Sequence, residues 1–121
     1  MRKVSEADLQ RAVVAWWETV CEKEFNLPKE LLWHTPNGGT RNVVEAMQLK
    51  RMGARSGVPD LFLAVPRGKH GLFVEMKLPT GKESDNQIRM RELLVSQGYA
   101  VEVCHSANDA VLKIRNYLTT L

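Results

Sequence analysis

The sequence has 121 residues, of which 44% are hydrophobic and 26% are charged, and a formal net charge of +3. These values are typical of one soluble globular domain covering residues 1–121, long enough to bury a core without disulfides or a structural metal. No apolar run approaches about 18 residues, which excludes a membrane span. The N-terminus also lacks a secretory signal, so the sequence predicts a cytoplasmic protein with no membrane partner.

The first predicted element is a helix from Glu6 to about residue 24, with Ser5 as its N-cap. Its apolar residues share one face of the helix: Leu9, Val13, Trp16, Trp17 and Val20. Glu6 falls on the same face, where a carboxylate is costly unless a metal ion or a lysine pairs with it. The alternative is that Glu6, in the first turn, interacts with the helix dipole and reaches solvent beyond the core.

The middle of the chain predicts a short strand over residues 31–34, a turn-rich loop over residues 35–39 and a second helix over residues 42–52 that ends at Gly53. Two strands follow, at residues 61–65 and 72–77, and residues 66–71 form a plausible hairpin connection between them. A helix over residues 85–97, a strand over residues 99–104 and a helix over residues 107–118 complete the pattern. This order predicts an α/β fold in which helices flank a mixed sheet.

Cys21 and Cys104 are the two cysteines of the chain, and they are far apart in sequence. They form no C-x-x-C pattern, which argues against a zinc knuckle or a redox motif and indicates buried thiols in a reducing compartment. The three histidines also show no spacing typical of metal ligands. The three tryptophans are interpreted as core or interface residues rather than as platforms for stacking bases.

The two neighbouring strands carry the most informative motif. Asp60 comes just before the first strand, and Glu75-Met76-Lys77 ends the second. Because side chains alternate along a strand, Glu75 and Lys77 point to one face, and Asp60 on the neighbouring strand can converge on the same point. Two carboxylates offer the oxygen ligands that Mg²⁺ or Mn²⁺ prefers, and Lys77 could orient or deprotonate an attacking water. The motif predicts a metal-dependent phosphodiesterase without an organic cofactor.

The distribution of charge agrees with a polyanionic ligand. Residues 41–91, which surround the motif, carry ten Lys and Arg against five Asp and Glu. Arg41, Lys50, Arg51 and Arg55 are the predicted contacts to a nucleic-acid backbone, used for shape and phosphate recognition. On charge alone, a solvated basic face is an equally good interpretation.

The sequence resembles the PD-(D/E)xK nuclease superfamily, and within it the VRR-NUC (virus-type replication-repair nuclease) family. The landmarks are Ser5-Glu6, Pro36-Asn37-Gly38, Gly53, Gly57-Val58-Pro59-Asp60, Glu75-Met76-Lys77, Gln87 and Gly98-Tyr99. The resemblance implies a restriction-endonuclease-like core. It also implies metal ligands Asp60, Glu75 and the main-chain carbonyl of Met76, with Lys77 as the catalytic lysine.

The same resemblance assigns further residues. It implies that Glu6 completes the site and that Gln87 is a supporting glutamine, although Gln87 could also be an ordinary polar surface residue at the start of its helix. Asn37 could contact DNA or could shape its glycine-rich turn.

Stand-alone members of this family resemble Holliday junction resolvases, which act as two-fold dimers on branched DNA. The resemblance therefore implies a homodimeric junction resolvase that depends on Mg²⁺ or Mn²⁺, in a phage or bacterial setting. A flap endonuclease or a general nickase is the near alternative. Two further alternatives are not DNA endonucleases: a catalytically silent nucleic-acid-binding module and a metal-dependent ribonuclease.

Overall fold

The structure is a computed structural model that describes residues 3–36 and 42–120. In chain order its elements are α1 (Glu6–Phe25), a 3₁₀ turn (Lys29–Leu31), β1 (Leu32–His34), α2 (Val43–Arg51), β2 (Leu61–Leu63), β3 (Leu72–Met76), α3 (Asp85–Ser96), β4 (Ala100–Cys104) and α4 (Ala107–Thr119). The predicted order of helices and strands is confirmed. The strands are shorter than predicted, so that β2 ends at Leu63 and Lys77 lies just beyond β3. None of the described helices has the length and apolar character needed to cross a membrane.

The strands form one mixed sheet in the order β1-β2-β3-β4. The β1–β2 and β2–β3 pairs are antiparallel, whereas β3 and β4 are parallel. The predicted hairpin is the β2–β3 pair. Parallel neighbours need a crossover, and α3 provides it. The mixed α/β sheet flanked by helices is therefore confirmed, and the carboxyl end of β3 lies beside the start of β2.

One face of the sheet is covered by α1 and α4, the first and last helices. Val74 and Met76 of β3 are fully buried there together with Trp17 of α1. A capping box between Ser5 and Asp8 satisfies the free N–H groups at the start of α1. Arg115 of α4 binds Glu24 of α1 through two hydrogen bonds of 2.6 and 3.1 Å, which ties the two helices together at the surface.

Buried thiols also belong to this core. Cys21 is 2% exposed and Cys104 is fully buried, and both are free. Their predicted role as apolar core residues is confirmed.

A row of aromatic side chains crosses the opposite face of the sheet. Phe62 of β2 lies opposite both Trp33 of β1 and Phe73 of β3, with ring centroids 5.3 Å from Trp33 and 4.3 Å from Phe73. Tyr99 extends the row at 5.5 Å from Phe73. Trp16 and Trp17 pack in or against the core as expected, but Trp33 keeps 46% of its surface exposed.

Candidate active site

Asp60 is held from two sides at the point where β2 begins. Its carboxylate Oδ2 accepts a hydrogen bond of 2.8 Å from the main-chain N–H of Met76. Its main-chain oxygen accepts a bond of 2.9 Å from the N–H of Thr35 and lies 2.8 Å from Nδ1 of His34. Since strands β1 and β3 both bind Asp60, the position of its carboxylate follows from the sheet itself.

Glu75 is the buried carboxylate of the site, with only 3% of its surface exposed. Burial raises its pKa to about 9, together with the hydrogen bond that it shares with Asp60 and the negative charge of that residue. The positive charge of Lys77 opposes this shift and the charge of Glu6 adds to it. Without a cation, Glu75 therefore retains its proton at neutral pH.

One oxygen of Glu75 bears on whether a metal ion fits this pair. Oε1 is buried and has no hydrogen-bond partner among the described residues, which is costly for a polar atom. A divalent cation between Asp60 and Glu75 would replace the proton of Glu75 and provide a partner for such an oxygen. The chemistry of the pair fits a hard cation that is bound by oxygen.

Lys77 lies one residue beyond β3, and its main-chain N–H continues the parallel pairing with a bond of 2.8 Å to the carbonyl of Cys104. Only 9% of the residue is exposed. Its ammonium group is close enough to Glu75 to lower the pKa of that carboxyl. The structure therefore brings together the three residues of the motif, Asp60, Glu75 and Lys77, as the strand pattern predicts.

Glu6 differs from the expectation of a carboxylate embedded in an apolar face. It is exposed in the first turn of α1, because the helix extends beyond the core at its N-terminus. There it lines a cleft of about 410 Å³ whose other walls are Ala7, Gln10, Arg11, His34 and Asp60. Glu6 thus faces the same cleft as Asp60, and no burial cost has to be offset.

Side chains alone do not enclose a metal ion in this geometry. Across residues 3–36 and 42–120, no three His, Cys, Asp or Glu side chains are grouped closely enough to hold one. The side-chain ligands that lie together are Asp60 and Glu75, with Glu6 farther away across the cleft. A cation here would complete its coordination with other oxygens, such as water or main-chain carbonyls.

The loop before Asp60 rests directly on the first turn of α3. Gly57 has a φ of +85°, and a Cβ atom at this position would lie 2.3 Å from the carbonyl oxygen of Asn86. The side chain of Asn86 donates a hydrogen bond of 3.0 Å to Oγ of Ser56. Sequence reasoning singled out Gly57 as part of the motif, but the contact with Asn86 has no local signal in the sequence.

Gln87 has a structural role in this region. Its side-chain oxygen accepts a bond of 2.8 Å from the N–H of Ser84, and Oγ of Ser84 accepts one of 3.2 Å from the N–H of Gln87. This capping box fixes the start of α3, against which Gly57 packs. The implied supporting role of Gln87 in catalysis stays a prediction.

His34 is a residue of the cleft that sequence reasoning missed, because its contact with the main chain of Asp60 depends on strand pairing. Among the predicted nucleic-acid contacts, Lys50, Arg51 and Arg55 are exposed on α2 and the loop after it. Asn37 and Arg41 lie outside the described residues.

Comparisons with known proteins bear on the whole arrangement. The model of the family described as "VRR-NUC domain" matches residues 2–108. A solved structure described as "VRR_NUC domain protein" superposes with a TM-score of 0.81 at 26% sequence identity. That similarity covers 97% of this chain and 90% of the other. No curated protein sequence gives a significant match.

Proposed function

Because the chain belongs to the VRR-NUC family and is therefore a nuclease, we propose that it is a metal-dependent endonuclease for branched DNA, a homodimeric Holliday junction resolvase. The family match supports the nuclease activity. The DNA substrate, the need for Mg²⁺ or Mn²⁺ and the dimer are the parts that we propose.

The observation that carries the proposal is the pairing of Asp60 with the buried Glu75. Burial and the neighbouring Asp60 raise the pKa of Glu75, and Oε1 of Glu75 has no partner in the described chain. Such a pair is unfavourable as part of a purely structural core. It is favourable as a site for a divalent cation, which would stabilise the negative charge that develops on a scissile phosphate.

The remaining residues act around this pair. In the proposed reaction Lys77, next to Glu75, orients the attacking water or takes up its proton. Glu6 lines the same cleft as Asp60 and, in the proposed reaction, completes the acidic site. Gln87 supports the site by holding the start of α3, and the main-chain carbonyl of Met76 adds an oxygen ligand.

Basic residues outside the site would hold the DNA. Lys50, Arg51 and Arg55 are exposed, and in the proposed complex they bind phosphates without reading bases, together with Asn37 and Arg41. A four-way junction must be nicked on two opposite strands. A two-fold dimer presents two identical sites in matching orientation, which is why we propose a homodimer.

The test is cleavage of labelled substrates by the protein with Mg²⁺, with Mn²⁺ and with a chelator. The substrates are a four-way junction, a 5′ flap, a linear DNA duplex and an RNA of matched sequence. We expect cation-dependent paired nicks in the junction. Asp60→Asn and Lys77→Ala should each lower the cleavage rate by roughly 100-fold or more, since each removes a charged group from the reacting centre.

Glu92→Gln and Lys23→Ala are matched controls because both residues are exposed and lie outside the site, and both variants should cleave at the wild-type rate. Light scattering measures the oligomeric state. Cleavage of flaps in preference to junctions, or equal nicking of every substrate by a monomer, would reject the resolvase. Faster cleavage of RNA would indicate a ribonuclease. A wild-type protein that binds these substrates but cuts none of them would be a binding module.

A further inference from the structure

Trp33 combines exposure with rigid support. It is the one aromatic residue among the large hydrophobic side chains that are exposed in the described part of the chain, at 46%. Its indole packs against the ring of Phe62, with centroids 5.3 Å apart and planes inclined by 67°. Phe62 in turn packs on Phe73. The indole is therefore held from below while about half of the residue remains open to a ligand.

The sheet fixes Trp33 relative to the carboxylates. The next two residues, His34 and Thr35, both contact the main-chain oxygen of Asp60 at 2.8 and 2.9 Å. Trp33, Phe62 and Phe73 are cross-strand neighbours and therefore project from one face of the sheet. Glu75 follows Phe73 by two residues, so its side chain leaves from the same face, about 7 Å further along the strand.

Asp60 precedes Phe62, the cross-strand partner of Trp33, by two residues, so Trp33 lies one strand spacing across the sheet and about 7 Å along it from Asp60. Together these give a separation of about 9 Å, which neighbouring nucleotides of an extended strand can span. We propose that Trp33 is a stacking platform for an unpaired base next to the phosphate held at Asp60 and Glu75. This inference rests on the proposed function. Aromatic side chains bind single-stranded bases of any sequence through their π-faces, whereas a base inside a paired duplex is stacked on its neighbours and cannot reach the indole. Trp33 would thus favour a branch point over a continuous duplex.

The position of Trp33 favours a nucleic-acid strand as its ligand. β1 is an edge strand of the sheet, and the next residue along it, His34, lines the cleft that contains Asp60 and Glu6. A strand that leaves the cleft across this edge passes from His34 to Trp33. Because neighbours on a β-strand point to opposite faces, the indole of Trp33 lies on the other side of β1 from the ring of His34, and the nucleic-acid strand would wrap around this edge to reach it.

The experiment measures binding in a Lys77→Ala background and in chelator, so that cleavage does not interfere. Fluorescence anisotropy gives the affinity for a splayed duplex, a four-way junction and a fully paired duplex of equal length. Trp33→Ala should bind the two branched substrates roughly tenfold more weakly, within the range measured for loss of a stacked base. Binding to the paired duplex should not change. Trp33→Phe should retain most of the affinity, and Leu112→Ala, an exposed apolar control on α4, should retain all of it.

Abasic substrates make the test specific for stacking. Removing single bases beside the branch should locate one position whose loss weakens wild type as much as Trp33→Ala does. The two changes together should then cost no more than either one alone, because they remove the same contact. If the losses of binding free energy from Trp33→Ala and from base removal add up fully at every position of the substrate, the proposal is overturned.

Other results would overturn it for different reasons. An equal loss on the paired duplex, or no loss on any substrate, would show that Trp33 does not read unpaired bases. If sedimentation shows that Trp33→Ala turns a dimer into a monomer, the indole belongs to a protein interface instead. If the wild-type protein binds no nucleic acid at all, that result alone rejects the proposed function, and the role of Trp33 is rejected with it.

Discussion

At its carboxyl end, β3 buries residues of opposite chemistry on its two faces to almost the same extent. Val74 and Met76 are completely buried against α1 and α4, and Glu75 between them is 3% exposed on the other face. Burial of the apolar side chains stabilises the fold. Burial of the carboxyl group opposes its ionisation and raises its pKa to about 9. The apolar side chains of β3 thus raise the free energy of unfolding, and the buried carboxyl group of the site lowers it.

The largest effect on stability is expected from the apolar face. Leu72 is fully buried, so Leu72→Ala should lower the free energy of unfolding by roughly 2–5 kcal/mol, through the lost burial and the cavity that remains. Urea denaturation measures this change. The exposed Leu112 is the matched control, and Leu112→Ala should cost well under about 1 kcal/mol. Similar losses in both variants would mean that the apolar face of β3 does not contribute to stability as described.

A smaller effect, confined to the wall of the site, is expected at Gly57. Gly57→Ala should lower the free energy of unfolding by roughly 1–3 kcal/mol and weaken cation-dependent cleavage, because a Cβ there meets the main chain of α3 and displaces the loop that carries Asp60. Gly53 is a close control, since its φ is +101° but a Cβ added to it would meet nothing within 4 Å. Gly53→Ala carries only the backbone strain. Equal losses for both substitutions, measured by urea denaturation and by cleavage assays, would exclude the contact with Asn86 as the cause.

The smallest effect has the opposite sign. Glu75→Gln should abolish cleavage and yet raise the free energy of unfolding of the cation-free protein by roughly 1–2 kcal/mol at pH 7, because an amide needs no proton to be neutral. Thermal unfolding in chelator measures the gain, with the exposed Glu92→Gln as the control that should show none. A Glu75→Gln protein that is less stable than wild type would contradict the cost assigned to the buried carboxyl.

The dependence on pH follows from the same pKa. Its folded value, about 9, lies above the ordinary 4.5, so between these values the folded protein binds more protons than the unfolded chain. The contribution of Glu75 to the stability of the cation-free protein is fully present below pH 4.5 and is lost as the pH rises toward 9. Thermal unfolding across this window should show the decline in wild type, and Glu75→Gln should remove this component. Saturating Mg²⁺ or Mn²⁺ should reduce it, since the cation replaces the proton.

The order of elements and the motif could be predicted from the sequence because both depend on local patterns. The helical spacing in α1, the glycines that end α2 and α3, and the alternation along β3 all act within a few residues. Alternation was sufficient to bring Glu75 and Lys77 to the same side. The predicted pairing of Asp60 with Glu75 needed only one further assumption, that the two strands form a hairpin.

The remaining features depend on contacts between distant segments. The sequence pattern placed Glu6 on the apolar stripe of α1, but it could not show that the first turn of that helix extends beyond the core into the cleft. Neither the bond from the N–H of Met76 to Asp60 nor the packing of Gly57 on Asn86 has a pattern of its own. The exposure of Trp33 depends on which part of the sheet the helices leave uncovered, and that is decided only in the assembled fold.

The pairing of the first helix with the last has a consequence for the order of folding. Val13 and Trp17 of α1 share a core with Ile114 and Leu118 of α4, and Arg115 binds Glu24 from 91 positions further along the chain. Contacts between such distant residues close slowly because the intervening chain must first be ordered. During synthesis the core around α1 stays incomplete until α4 leaves the ribosome, so Glu6 should be the last acidic residue of the cleft to be fixed in its position. A nascent chain would therefore contain the Asp60, Glu75 and Lys77 motif well before the complete site could assemble and become active.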